Sequence, residues 1–321
     1  MGDDDQTPTA PLQKTAAEAK QPPLASKHQK SNGGGSSTKP SKKEVRILML
    51  HGYTQSGALF RAKTRALEKM LAKALAPLNL VPALLYPTGP NRLSPRDIPG
   101  YEPSAAAAAD GEDDVMNAWA WFRKDNASGS YRLLDRGMDR LAAVMAEANA
   151  PPPATAGEPE VQQQQQQQQQ QRGEESDEPV IDGVVGFSQG GSMAAMLAAA
   201  METETMGQGL RPPPPEHAAW VSAVRRANGG RPLKFAVVYS GFYAPPEDLR
   251  WLYEPAKIAT PTLHFIGSLD TVVDESRSQA LVDRCQDPLV VVHPGGHYVP
   301  ISKEWVMPLV GFIRKCVEGK V

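Results

Sequence analysis

Three residues of the types that cooperate in nucleophilic catalysis follow apolar runs in this sequence. They are Ser188, Asp270 and His297, in that order along the chain. A serine hydroxyl is a poor nucleophile at neutral pH, so a histidine within hydrogen-bond reach must take its proton, while a carboxylate orients the histidine ring and stabilises the imidazolium. We therefore predict Ser188 as the nucleophile, His297 as the general base and Asp270 as the acid.

Ser188 lies in Gly-Phe-Ser-Gln-Gly, between an apolar run that ends at Val185 and a segment of small residues with helical character. A serine on such a strand-to-helix turn is pushed towards a substrate, and glycines two residues to either side avoid collisions in the tight turn. The pentapeptide alone fits a glycine-rich turn with an ordinary serine equally well. The acid and the histidine at two later strand ends favour the nucleophile.

Neighbouring residues offer alternatives for the acid and the base. His293 lies at the end of an apolar strand, whereas His297 lies in a glycine-flanked loop that can reach across, so we favour His297. Asp274 and Asp248 are alternatives to Asp270. Asp270 has the strand-end position at which ligands gather in parallel sheets, and Asp274 is more simply explained as the N-cap of a helix.

A tetrahedral oxyanion needs hydrogen-bond donors, and two backbone N–H groups beside strand ends are candidates. They belong to Gln189, at the start of the helix after Ser188, and to Tyr53, in the His-Gly-Tyr loop after the first strand. We expect His51 to shape that loop without reacting.

Four aromatic residues are candidates for the substrate pocket. They are Trp119, Trp121, Phe242 and Tyr298. Packing in the protein core explains the two tryptophans equally well, because such side chains bury large areas wherever they lie.

Apolar runs of strand length alternate with amphipathic segments along the chain. Predicted strands cover residues 45–50, 81–87, 180–185, 235–240, 262–267 and 289–293, and predicted helices cover residues 58–76, 131–148, 276–285 and 303–317. This alternation predicts an α/β fold with a mainly parallel, doubly wound sheet and helices on both faces. The order serine, acid, histidine at successive strand ends is that of the α/β-hydrolase fold.

Low-complexity segments limit the folded part of the 321 residues. Residues 1–43 are rich in small and polar residues, which predicts a disordered N-terminal tail, and residues 44–321 form a single predicted domain. Within it we predict low-complexity insertions at about 103–114, 150–178 and 205–231. The second contains a glutamine tract, which fits a tolerated expansion in a surface loop better than a partner-binding element.

Charge and cysteine content narrow the class of protein. Thirty-four basic residues against 36 acidic ones leave a net charge of −2, without the basic surplus that favours nucleic acid or an anionic membrane. Cys285 and Cys316 form neither a disulfide framework nor a metal-ligand pattern. No apolar segment is long enough for a membrane span. We expect a cytosolic protein, with the nucleus as a second location, that uses no metal or organic cofactor.

Four sequence blocks resemble a known family. They are Leu-His-Gly-Tyr-Thr-Gln-Ser-Gly at 50–57, Gly-Phe-Ser-Gln-Gly-Gly at 186–191, Tyr-Ser-Gly-Phe at 239–242 and Gly-His-Tyr-Val-Pro at 296–300. In this order they resemble the FSH family of serine hydrolases, related to the ovarian-cancer-associated gene 2 esterase. The resemblance extends over about 45–317, apart from the inserted loops.

The resemblance implies an α/β-hydrolase fold, a triad of Ser188, Asp270 and His297, and esterase or thioesterase activity, with some fungal members releasing acyl chains from polyketide synthases. Acyl-protein thioesterases have a similar Gly-Phe-Ser-Gln-Gly-Gly block and are the alternative. The chain departs from the family's pattern in a lengthened segment at 105–114 and in the glutamine-bearing insertion. Both departures affect the shape of the substrate pocket.

The leading hypothesis is a serine hydrolase that acts on a small-molecule or carrier-bound acyl ester or thioester through an acyl-Ser188 intermediate. The competing hypothesis is a non-catalytic binding protein that keeps the same fold and uses its tail and glutamine tract for partners. An intact set of Ser188, Asp270 and His297 favours the enzyme.

Overall fold

A computed structural model describes residues 42–98, 100, 117–150, 180–202 and 212–320. The predicted insertion at 103–114, residues 1–41 of the predicted tail and residues 151–178 of the second predicted insertion lie outside this part of the chain.

The six predicted strands form one parallel sheet. The strands of the described structure are β1 (Lys43–Leu50), β2 (Leu80–Leu85), β3 (Asn91–Arg92), β4 (Trp119–Ala120), β5 (Arg123–Lys124), β6 (Tyr131–Arg132), β7 (Gly183–Phe187), β8 (Phe235–Tyr239), β9 (Thr262–Gly267) and β10 (Leu289–His293). Six of them pair in the order β10-β9-β8-β7-β1-β2, every pair parallel, while β3 with β4 and β5 with β6 form two small antiparallel ladders. The predicted α/β fold is confirmed.

The order of the strands reverses beside β1. The chain passes from β1 outwards to β2 and then returns to β7 on the other side of β1, after which β8, β9 and β10 follow one another outwards. In open parallel sheets, ligands bind outside the carboxyl ends of the strands at such a reversal. Here that position lies between Leu50, the last residue of β1, and Phe187, the last residue of β7.

Six α-helices accompany the sheet in the described part of the chain. They are α1 (Gly57–Leu75), α2 (Leu134–Asn149), α3 (Gln189–Met201), α4 (Pro215–Ala227), α5 (Glu275–Val282) and α6 (Lys303–Val317). None of them combines the length and the apolar character that crossing a membrane would require.

The sheet carries a separate hydrophobic core on each face. Leu48 and Leu50 of β1 pack with α2, α3 and α4 on one face, and Ile47 and Met49 pack with α1 and α6 on the other. This alternation follows from the period of two of a strand and explains the continuous apolar run of β1. Every residue of α3 is buried, because this helix lies between the sheet and the other helices. The predicted doubly wound arrangement is confirmed.

Helix α4 is a correction to the sequence prediction. Residues 205–231 were predicted as a low-complexity insertion; residues 205–211 lie outside the described part of the chain, but Pro215–Ala227 is helical. Pro215 is compatible with a helix start, since the first helical residue needs no N–H donor. Trp220, Val221 and Val224 form a buried face that packs on the core with α2 and α3. The sequence did not predict this helix because the run of prolines directly before it is typical of a loop.

The start of α2 is a second correction. The predicted helix over 131–148 begins instead at Leu134. Tyr131 pairs with Lys124 in the short β5–β6 ladder, and Leu133 adopts a left-handed conformation with φ of 62°. These features break the helical period for three residues before α2 starts.

Candidate active site

Ser188 occupies a strained turn between β7 and α3. Its backbone angles are φ 55° and ψ −117°, a combination that is rare for a residue with a side chain. Two glycines make the turn possible: a Cβ at position 186 would lie 2.0 Å from the carbonyl oxygen of Gly190, and one at position 190 would lie 2.2 Å from that of Leu50. The N–H of Ser188 donates to the carbonyl of Tyr239, at 2.8 Å, which fastens the turn to β8.

The three predicted side chains form one chain of hydrogen bonds. His297 Nε2 lies 3.0 Å from Ser188 Oγ, and His297 Nδ1 lies 2.8 Å from Asp270 Oδ2. The imidazole ring packs against Phe187, with ring centroids 4.8 Å apart. The residues come from the ends of β7, β9 and β10, so the parallel sheet brings together groups that are 109 positions apart in sequence.

Hydrogen bonds keep the carboxyl group of Asp270 ionised. Its Oδ1 accepts hydrogen bonds from the backbone N–H groups of Val272 and Val273, both at 2.9 Å, and Oδ2 faces His297. Burial alone would raise the pKa of this carboxyl, but the hydrogen bonds from His297 and from the backbone outweigh it and hold the pKa below its ordinary value. A carboxylate in this state stabilises a proton on the imidazole.

The alternative residues lie elsewhere. His293 is 1% exposed and its Nδ1 accepts the N–H of Gly295. Asp274 is the N-cap of α5, as its sequence context predicts, and accepts the N–H of Arg277. Asp248 contacts His217 at 3.4 Å. None of the three alternatives joins the hydrogen-bond chain of Ser188 in the described structure.

The loop after β1 is organised by His51. Its Nε2 accepts the N–H of Gly89 at 2.9 Å, so the ring proton lies on Nδ1, which donates to the carbonyl of Gly52 at 2.8 Å. Burial lowers the pKa of His51 to about 4, against the opposing backbone hydrogen bond, and the ring is therefore neutral. Gly52 allows the loop to approach the turn closely, since a Cβ there would lie 3.0 Å from the ring of Phe187, the residue before Ser188.

The two predicted oxyanion donors belong to residues that line one cleft together with Ser188. Neither the N–H of Tyr53 nor that of Gln189 donates to another residue in the described part of the chain. Gln189 is the first residue of the thirteen-residue helix α3. The first N–H groups of a helix have no acceptor within it and carry a partial positive charge, which suits a developing negative oxygen.

The side chain of Gln189 has a role that the sequence did not indicate. Its Oε1 accepts the N–H of Trp121 at 2.8 Å, and its Nε2 donates to the carbonyl of Phe122 at 2.9 Å. The indole N–H of Trp121 donates in turn to the carbonyl of His51 at 2.9 Å. The segment around Trp121 therefore connects the two loops that carry the candidate oxyanion donors.

A cleft of about 970 Å³ opens over Ser188. Of the four aromatic residues predicted for the pocket, Phe242 lines it. Trp121 is a correction: it is fully buried in the core, where hydrogen bonds to Gln189 and to the loop after β1 satisfy its two N–H groups.

The other two predicted pocket residues also lie outside the described lining of the cleft. Trp119 donates its indole N–H to Asn117, and Tyr298 is 52% exposed and packs on the ring of His293. The aromatic residues that line the cleft together with Phe242 are Tyr53, Phe122, Tyr131 and Tyr243.

The family model and two of the relatives described below are serine hydrolases or esterases by name. A family model described as serine hydrolase (FSH1) matches residues 40–309, which include all three members of the hydrogen-bond chain. Family of serine hydrolases 2 from Saccharomyces cerevisiae is 28% identical over 274 residues, covering 85% of this chain and 96% of that protein.

Two further relatives differ in how much of their length is matched. Esterase OVCA2 from Danio rerio is 26% identical over 280 residues, covering 84% of this chain and 97% of that protein. Dihydrofolate reductase from Schizosaccharomyces pombe is 30% identical over 264 residues, which are 80% of this chain but 44% of that protein. The chain thus spans less than half the length of the latter.

Proposed function

We propose that this chain, which belongs to the FSH1 family of serine hydrolases and is a carboxylic ester hydrolase, cleaves esters and thioesters through an acyl intermediate on Ser188. The observation that carries the proposal is the continuous hydrogen-bond chain from Ser188 Oγ through the two ring nitrogens of His297 to the carboxylate of Asp270, with distances of 3.0 and 2.8 Å. Its members have the types and the geometry needed to activate a hydroxyl.

In the acylation step, His297 Nε2 takes the proton of Ser188 as Oγ bonds to the carbonyl carbon of the substrate. The carbonyl oxygen becomes an oxyanion, which accepts hydrogen bonds from the N–H groups of Tyr53 and Gln189. The imidazolium then gives its proton to the departing oxygen or sulfur as the bond to the carbonyl carbon breaks. Asp270 remains ionised and stabilises the positive ring during both transfers.

In the deacylation step, a water molecule replaces the leaving group. His297 takes a proton from this water while the water oxygen attacks the acyl carbon. His297 then returns the proton to Ser188 Oγ as the carboxylic acid leaves. The same donors stabilise the second oxyanion. Each such donor typically contributes about a hundred- to a thousandfold to turnover.

The same residues suit oxygen and sulfur leaving groups, because His297 protonates the leaving atom without depending on its identity. We therefore include thioesters, small or carrier-bound, such as those that acyl-protein thioesterases or polyketide-releasing thioesterases cleave. For either leaving group, the lowered pKa of Asp270 supports its role as the acid beside His297, since this carboxylate must stay charged when the ring becomes protonated.

The experiment compares the wild type with Ser188→Ala on p-nitrophenyl butyrate and on the butyryl thioester of N-acetylcysteamine. We expect turnover by the wild type and a loss of about 10⁴-fold or more in the variant, because removal of the nucleophile leaves no acyl acceptor. Ser222→Ala, a serine of α4 that accepts a hydrogen bond from Arg226 on the same helix, is the matched control and keeps full activity.

A folded wild type without turnover on acyl chains of several lengths would contradict the proposal. It would support a non-catalytic protein that retains the hydrolase fold.

A further inference from the structure

The cleft over Ser188 has an aromatic floor. Phe122 and Tyr131 stack with ring centroids 4.2 Å apart and an interplanar angle of 14°. Phe242 is held through its backbone, whose N–H and carbonyl both hydrogen-bond to the hydroxyl of Ser192. Such a floor suits an apolar chain or ring attached to the scissile group.

The rim of the cleft carries more positive than negative charge. The charged residues among its described lining are Arg96, Arg123, Lys124, Arg132 and Arg277 on the basic side and Asp97 and Asp125 on the acidic side. This surplus contrasts with the net charge of −2 of the whole chain. The cations are therefore concentrated at the cleft and do not reflect the general composition.

Both acidic residues of the rim are already paired. Asp97 binds the guanidinium of Arg123 at 2.9 Å, and Asp125 lies 3.3 Å from Arg132. Asp125 also accepts two backbone N–H groups from its own turn, which, with Arg132, lower its pKa. These carboxylates have no capacity to neutralise the other basic residues of the rim.

Three cations remain without a carboxylate within 4.0 Å among the described residues: Arg96, Lys124 and Arg277. All three are exposed and line the same cleft as Ser188. A cleft with unpaired cations attracts anionic solutes and raises their local concentration.

Arg277 is the best-positioned of the three. Its guanidinium lies 4.6 Å from the ring centroid of Phe242, and one of its nitrogens donates to the carbonyl of Val272 at 3.2 Å. These contacts orient the planar group at the mouth of the cleft and leave most of its five N–H donors for a ligand. Asp274 on the same helix engages the backbone N–H of Arg277 and adds a weaker attraction to its charge.

We propose that this cleft selects acyl esters or thioesters that carry an anionic group, a carboxylate or a phosphate, at the end of an apolar segment. The segment lies on the aromatic floor, and the anionic group binds Arg277 with help from Lys124 and Arg96. This inference rests on the proposed function, because it places the scissile carbonyl at Ser188. The anion belongs either to the acyl chain or to the leaving group, and these two sources are separated by experiment.

The first arm tests the acyl chain. Mono-p-nitrophenyl adipate and p-nitrophenyl hexanoate have the same chain length and leaving group but differ in a terminal carboxylate. The second arm tests the leaving group. Hexanoyl-4′-phosphopantetheine and hexanoyl-pantetheine share the acyl chain, the thioester and the pantetheine arm and differ in the terminal phosphate. In at least one arm we expect the anionic substrate to show a kcat/KM about five- to tenfold higher, chiefly through a lower KM.

Substitutions connect the preference to the rim. Arg277→Gln and Lys124→Gln each reduce the ratio of anionic to neutral kcat/KM, and the double variant brings it close to one. Lys73→Gln removes an equal charge from an exposed position of α1 outside the described lining of the cleft and leaves the ratio unchanged. Salt near 1 M, at which the Debye length is about 3 Å, reduces the wild-type ratio as well.

The possible outcomes separate this inference from the proposed function. A preference in the first arm assigns the anion to the acyl chain, and a preference in the second assigns it to the leaving group. Equal or lower kcat/KM for the anionic substrate in both arms overturns the inference, as does a preference that survives the double variant in full. Hydrolysis of the neutral substrates that depends on Ser188 would leave the proposed function standing in either case.

Discussion

The substitution Asp270→Asn tests the role of the acid with little change in shape. In the wild type, Oδ1 accepts the N–H groups of Val272 and Val273, and Oδ2 faces His297 Nδ1 at 2.8 Å. An asparagine keeps its amide oxygen towards the two backbone N–H groups, since only the oxygen can accept them. Its NH₂ group then faces His297.

The predicted loss follows from the tautomer of the histidine. An NH₂ group donates to Nδ1, so the ring proton moves to Nε2, the nitrogen that lies 3.0 Å from Ser188 Oγ. A protonated Nε2 cannot accept the serine proton. The equivalent change in a serine protease lowers kcat about 10⁴-fold, which corresponds to about 5.5 kcal/mol in the activation free energy. We expect a loss of this size in Asp270→Asn.

The assay is the steady-state hydrolysis of p-nitrophenyl butyrate at pH 7.5, together with the thermal unfolding temperature. Asp274→Asn is the matched control, because Asp274 is a helix N-cap and asparagine caps helices about as well as aspartate. The control keeps wild-type activity, and both variants remain folded. Activity of Asp270→Asn within tenfold of the wild type, in a folded protein, would refute the assignment of this carboxylate.

Two further predictions concern the framework of the site. Gly190→Ala places a Cβ 2.2 Å from the carbonyl oxygen of Leu50 and should steeply lower both the urea midpoint and the activity. The control Gly311→Ala in α6, where a Cβ would meet no atom within 4 Å, should add up to about 1 kcal/mol to the free energy of unfolding. Equal urea midpoints for the two variants would contradict the packing described for the turn. His51 and His264, a histidine of β9 that is 2% exposed, have pKa values lowered to about 4 by burial, so between that pH and about 6.5 the unfolded chain binds more protons than the folded chain. The free energy of unfolding should therefore fall by roughly 2 kcal/mol per histidine from pH 7.5 to pH 5. Urea titrations that give the same free energy of unfolding at both pH values would exclude neutral buried histidines.

The sheet was predictable because its strands are continuous apolar runs, which are buried along their whole length in β7, β8 and β9 and mostly exposed in the edge strand β10. Continuous apolar runs such as residues 262–267 and 289–293 have strand length and end at polar or glycine-rich segments, and the structure places β9 and β10 over the same residues. In a parallel sheet the carboxyl ends of the strands lie at one edge. This geometry makes Ser188, Asp270 and His297 neighbours without any further information.

The environment of the site was less predictable, because it depends on contacts between loops that are distant in sequence. The side chain of Gln189 binds the backbone at Trp121 and Phe122, 68 and 67 positions away. Nothing in the local pattern distinguishes a tryptophan that fills the core from one that lines a cleft. The basic rim has the same origin, since Lys124 and Arg277 come from separate elements that meet only in the folded chain.

Labelling with a fluorophosphonate probe, measured by intact-protein mass and peptide mapping, tests most directly whether Ser188 is the nucleophile. Ser188 is held in the strained turn at φ 55° and within 3.0 Å of its base, so we expect one adduct per chain, located on Ser188 and absent from Ser188→Ala. A folded wild-type protein that stays unlabelled, or an adduct that persists in Ser188→Ala, would contradict this assignment.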